Sequence, residues 1–140
     1  MNELMIENLF DNTHECASFH DARIKSVKLD YVSREAIFDC VLYVGNPDIF
    51  EDRERTAEGT LTITGFLYCV IEAPDHNYNY DDNEGLDVTS DGPLKLNEFR
   101  APLPQLPLDL PENAFIHYFY LNNCNSFLYI AATGATFQWT

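Results

Sequence analysis

Apolar side chains recur at alternate positions through most of this chain, and a period of two excludes helical architectures before anything else is considered. In the stretch TLTIT, Leu61 and Ile63 alternate with Thr60, Thr62 and Thr64. In RIKSVKLDY, Val27, Leu29 and Tyr31 alternate with Lys28 and Asp30. Each reads as a strand with one face in water. AIFDCVLYV, residues 36–44, is apolar at nearly every position, which predicts a strand buried on both faces. The turn VSRE joins it to RIKSVKLDY as a hairpin. TLTITGFLYCVIE, residues 60–72, is long for one strand, and Gly65 in its middle predicts a bulge or sharp bend. FIHYFYLN and SFLYIAAT flank NNCN, whose asparagines suit a hairpin turn. FQW, with Phe137 and Trp139 two apart, extends this as a final short strand.

The remaining segments are connections. Residues 2–11 space Leu4, Met5, Leu9 and Phe10 as in a short helix. Residues 46–59 read as a charged loop and residues 74–93 as an acidic one. APLPQLPLDLP, residues 101–111, is rich in proline. Proline fixes φ and removes donors, so this segment is expected to run extended over the surface with its leucines beneath it. The expected fold is mainly β, all-β or α+β. It is a curved antiparallel sheet or small sandwich of five to six strands with one short N-terminal helix, in a single domain spanning residues 1–140.

Charge narrows the choice of partner. The chain has 23 acidic residues against 8 Lys and Arg, a formal net charge of -15. Such a surface repels nucleic acid and anionic membranes, and it attracts basic proteins or cations. From Ala101 to Thr140 there is no Lys or Arg, and the only acids are Asp109 and Glu112, so the negative charge is concentrated in the middle of the sequence. No apolar run approaches the roughly 18 residues of a membrane-spanning helix. The start, MNELMIENLF, lacks the basic and apolar regions of a signal peptide. Cys16, Cys40, Cys69 and Cys124 form no CxxC pair, and two of them sit within apolar runs. The expectation is a cytoplasmic protein with reduced thiols.

DHNYNYDDNEGLD, residues 75–87, is the most acidic stretch. Read as an EF-hand loop, it places Tyr80 where the turn glycine is required and Leu86 where the bidentate glutamate is required, so that motif is rejected. A looser cation site from Asp75, Asn77, Asn79 and Asp81 is one alternative, and a solvated loop is another. A docking surface for a basic partner is the third, formed by Tyr78, Tyr80, Asp81, Asp82, Glu84 and Asp87, because tyrosine among carboxylates suits Arg and Lys. His14, Cys16 and His20 have a spacing that matches no familiar zinc pattern, and no fourth ligand is evident. No nucleophile, phosphate-loop or metalloprotease motif is present, so neither a catalytic residue nor a cofactor is assigned. His20 and Asp21 stand immediately before the first strand, where Asp21 is expected to cap a turn and His20 to bond backbone.

FHDARIKSVKLD, followed by a turn and AIFDCVLYV, resembles the start of small bacterial domains of unknown function that carry an HDA or HDS motif ahead of a β-hairpin. The ending YLNNCNSFLYIAA…FQW is similar to their closing hairpin. Several such proteins resemble the immunity proteins of polymorphic toxin systems. The resemblance implies a non-catalytic inhibitor that occludes a basic effector such as a nuclease toxin, and it carries no functional residue onto this chain. The alternatives are a small-ligand or cation-binding domain, or an enzyme, with its site near His20 and Asp21 or along Asp75 to Asp81, and a structural or scaffolding domain.

Overall fold

The computed structural model describes residues 6–10, 14, 16–79, 84–94 and 110–140. A single 3-10 turn, Ile6–Leu9, precedes the strands β1 (Arg23–Asp30), β2 (Glu35–Tyr43), β3 (Thr56–Thr64), β4 (Tyr68–Ile71), β5 (Leu86–Pro93), β6 (Phe115–Leu121), β7 (Ser126–Ala132) and β8 (Gly134–Trp139). All pairings are antiparallel, in the order β4-β7-β6-β5-β1-β2-β3-β8. No helix among the described residues is long and apolar enough to cross a membrane.

The sheet's two ends meet. β4 is the continuation of β3, and β8 is the continuation of β7. Thr64 pairs with Gly134 on one side of the bend, and Tyr68 pairs with Ala131 on the other. The Leu67 amide donates to the Ala131 carbonyl at 2.7 Å within it. The sheet therefore curls into a flattened barrel. Gly65 makes the bend feasible. Its φ is positive, in the left-handed region that glycine enters freely, and a Cβ there would lie 2.3 Å from Thr133 Oγ1.

Both predicted hairpins form, β1–β2 and β6–β7. The sheet has eight strands where five to six were expected. The stretch of residues 60–72, read as one long strand, is cut into β3 and β4 by the bend, and β5 lies inside the stretch read as an acidic loop. The helix expected over residues 2–11 is, in its described part, only the 3-10 turn. β2 is buried on one face and half-buried on the other, because its outer side chains line the outside of the barrel. Residues 101–109 of the proline-rich segment lie outside the described residues.

The core forms where the two halves of the curled sheet face each other. Ile24, Phe38, Leu42, Leu61 and Ile63 come from β1–β3, and Val88, Phe119, Leu121, Leu128 and Ile130 from β5–β7. The Phe38 and Phe119 rings lie 6.2 Å apart across the interface. One polar pair enters this interior. His117 on β6 faces inward between Phe115 and Phe119, and its Nε2 donates to Asp91 Oδ2 on β5 at 2.7 Å.

Three thiols are inside the fold to different depths. Burial pushes the Cys40 thiol up to about 12 and Cys69 up to about 11, while Cys16 is exposed. Iodoacetamide at neutral pH is expected to alkylate Cys16 in the native protein and to leave Cys40 untouched until denaturant is added. Peptide mapping by mass spectrometry checks this, and early labelling of Cys40 contradicts the packing of β2.

Candidate functional site

The connection between β2 and β3 is a loop built on its own hydrogen bonds. Val44 and Gly45 amides donate to the Arg55 carbonyl at 2.9 and 3.3 Å and close its neck. Asn46 donates its amide to Asp52 Oδ2 at 2.7 Å, and Asn46 Oδ1 in turn accepts the Asp48 amide at 2.9 Å. The Asp52 and Arg53 amides both donate to the Ile49 carbonyl at 3.0 Å. Asp52 also accepts Arg55 Nε at 2.8 Å. That bond, followed by the one from the Asn46 amide, holds the Asp52 carboxyl below its usual value. The neck is tight: a Cβ on Gly45 would fall 1.6 Å from the Asp52 carbonyl oxygen.

So ordered a loop can hold side chains out into water, and it holds apolar ones. Ile49 is 50% exposed and Phe50 76% exposed. The Arg53 guanidinium lies over the Phe50 ring, 4.3 Å from its centroid, a cation–π contact. Asp48, Glu51 and Glu54 surround them, all exposed, and none makes an ion pair among the described residues. Tyr31 and Val32 are also exposed, but they lie at the other end of β1–β2, where the Asp30 carboxylate is taken up by the Val32 and Ser33 amides.

A cleft of about 430 Å³ separates this loop from the segment leading into β1. Its lining includes Cys16, His20, Asp21, Tyr43, Arg53 and Glu54. Phe19 anchors the segment: it is buried against Phe119 at 5.4 Å and Phe137 at 6.2 Å. The turn that follows, closed by the Ala22 amide on the Phe19 carbonyl at 3.0 Å, leaves His20 and Asp21 on the surface. Asp21 has a positive φ, unusual for a residue with a side chain. Its carboxylate lies 3.0 Å from His20 Nδ1. Both groups are largely solvated, so the pair orients an imidazole without desolvating a base. His14 packs edge-on to Trp139 at 4.5 Å instead of joining Cys16 and His20 as a ligand set.

The described residues leading into the acidic stretch are tethered to the β6–β7 hairpin. The Glu72 amide donates to the Phe127 carbonyl, and its carboxylate accepts the Phe127 amide at 2.7 Å. The Asp75 amide donates to the Cys124 carbonyl at 2.8 Å. Asp75 Oδ1 accepts the Asn77 amide at 2.9 Å, a turn role for a residue of the candidate cation set. No cluster of three or more His, Cys, Asp or Glu suited to a metal occurs among the described residues. Tyr78 is half-buried against the core and bonded to the Cys124 thiol, which burial pushes up and this bond lowers. Glu84 and Asp87 are brought together by Arg23, at 2.8 and 3.5 Å. Tyr80, Asp81 and Asp82 lie outside the described residues.

Cations at this end of the barrel are therefore engaged: Arg23 as above, Lys25 by Glu58 at 2.7 Å, Arg55 by Asp52, and Arg53 on Phe50. The charges left over are carboxylates. Charge dominates the sequence of the loop of residues 46–55 and masks its apolar pair. Its one signal is the adjacent pair Ile49 and Phe50 inside a run of acids. Compared with known proteins, the chain matches no family model, no curated protein and no solved structure.

Proposed function

We propose that this is a non-catalytic acidic binding protein, of the kind that an immunity-type inhibitor of a basic effector would be. It docks a basic protein on the end of the barrel formed by the β2–β3 loop and the adjoining cleft. The observation that carries this reading is Phe50, a solvated aromatic ring held on a self-bonded loop among Asp48, Glu51 and Glu54. Interfaces draw most of their energy from a few such anchors, and surrounding charges set encounter rate and partner choice. A Lys or Arg side chain of the partner entering the cleft meets Asp21 and Glu54, while the partner's apolar surface covers Ile49 and Phe50.

Co-purification from the source cells tests it, using the native chain, Phe50→Ala, and a triple variant Asp48→Asn, Glu51→Gln, Glu54→Gln. Expected is a basic protein that the native chain retains at low salt, that high salt releases, and that neither variant holds. Loss of the Phe50 ring should weaken binding by about 2 kcal/mol, some thirtyfold. Equal retention by all three proteins, or a partner that is not basic, sinks the proposal.

A further inference from the structure

β1 and β4 each have an edge with no partner strand among the described residues. β1 pairs with β2 from end to end but with β5 only at Arg23 and Ile24. β4 pairs with β7 alone. Residues of both line one groove of about 460 Å³, including Ile24, Val27, Ile71, Tyr78, Glu84 and Leu86.

Register shows what the barrel wall lacks there. Val27 stands opposite the core residue Phe38, and Leu29 opposite Ala36, so both point to the inner face. Leu29 is nevertheless 36% exposed. On β4, Ile71 stands opposite the buried Leu128 and is 47% exposed. Leu29 and Ile71 keep inward-facing aliphatic surface in water, with no neighbouring strand among the described residues to cover it, while Val27 is half-buried against the core. The irregularity in β1 lies between Ile24 and Ser26, where pairing with β5 stops. From Val27 to Asp30 the register is regular, so this part of the edge can accept another strand.

We propose that this groove receives an extended segment of the basic partner, added to the free edge of β1 as a further strand. The inference rests on the cationic-partner reading above. Main-chain hydrogen bonds to β1 would supply affinity, and alternate apolar side chains would cover Val27, Leu29 and Ile71. Charge decides between occupants. A second copy of this chain brings another net charge of -15 and is repelled by it. A basic segment is instead drawn in by the field of the acidic surface, and in the groove it meets Glu84, whose exposed carboxylate also pairs with Arg23. Lys25 is already held by Glu58. Lys28 calls for an uncharged or acidic residue directly opposite, which places the segment's cations nearer Asp30 and Glu84.

The test is amide hydrogen exchange, read by NMR on the full chain with three synthetic octapeptides. The first alternates valine with lysine and serine, the second replaces lysine by glutamate, and the third is the first with a central proline. With the first, exchange at the free edge of residues 27–30 is expected to slow by about tenfold, and with the third to stay unchanged. If the lysine peptide perturbs the loop of residues 46–55 but leaves β1 exchange unchanged, the strand-acceptor inference fails and the binding reading stands. If the glutamate peptide protects β1 as well as the lysine peptide does, the edge is an acceptor and the cationic reading fails. Protection that rises with protein concentration alone assigns the edge to self-association and overturns the proposal, and silence with every peptide overturns both.

Discussion

Phe119→Ala is expected to lower stability by about 3–5 kcal/mol, the cost of emptying a large aromatic site in a core that cannot collapse. Phe119 is fully buried at the centre of β6. Its ring lies 5.4 Å from Phe19, 6.2 Å from Phe38 and 4.9 Å from the His117 ring. Phe19 sits in the turn before β1, Phe38 on β2 and His117 on β6 itself. Phe38 and His117 cannot move into the space without breaking a ladder, and Phe19 cannot without opening its turn. A domain of this size is stable by roughly 5–15 kcal/mol, so the variant should sit close to its unfolding threshold. Urea denaturation followed by tryptophan fluorescence reads the change. Phe119→Leu, which keeps most of the volume, should lose about a third as much. The loss should also reach the surface, because Phe19 is what pins the turn carrying His20 and Asp21. A change below about 1 kcal/mol for the alanine variant would mean that the two halves of the sheet do not meet over this ring.

The elements that were readable from sequence are those whose signals are local. The β1–β2 and β6–β7 hairpins declare themselves by alternation on both sides of a polar turn. The bend at Gly65 was also visible, because a glycine in the middle of a long strand has few other uses. Its partner bend at Thr133 and Gly134 was not, since it depends on which strand lies alongside. β5 was hidden for a different reason. Asp87, Ser90, Asp91, Gly92 and Pro93 make it look like a loop, and of its residues only Val88 is fully buried. The proposed docking surface follows the same logic. Tyr78 looked like an exposed anchor, but the bond from the Asp75 amide to the Cys124 carbonyl draws its segment onto the β6–β7 turn and half-buries the ring. Phe50 looked incidental, and only the network of bonds around Asn46 and Asp52 shows that it is held outward.

Asp91→Ala is expected to cost about 2–3 kcal/mol, because it strands a buried donor. The irregularity in β5 between Val88 and Ser90 turns Asp91 inward, opposite Phe119, where it accepts from His117 Nε2. The His117 side chain is almost wholly enclosed, and the Asp91 carboxylate is the acceptor that its Nε2 would lose. Asp91→Asn keeps an acceptor oxygen at the same distance and should cost only about 1 kcal/mol. His117→Ala leaves the complementary problem, a mostly buried acid at the edge of an apolar interior, and should be at least as harmful as Asp91→Ala. The informative measurement is the pair together. Replacing both by leucine removes the buried donor and the buried acceptor at once, and a denaturation cycle compares it with the two corresponding single leucine variants. If the double variant is more stable than either single one, the pair contributes little net stability and its role is to fix the register of β5, the strand that joins the two halves of the barrel. If the double variant loses the sum of the two, the residues act independently and the short bond between them is not what holds β5 in place.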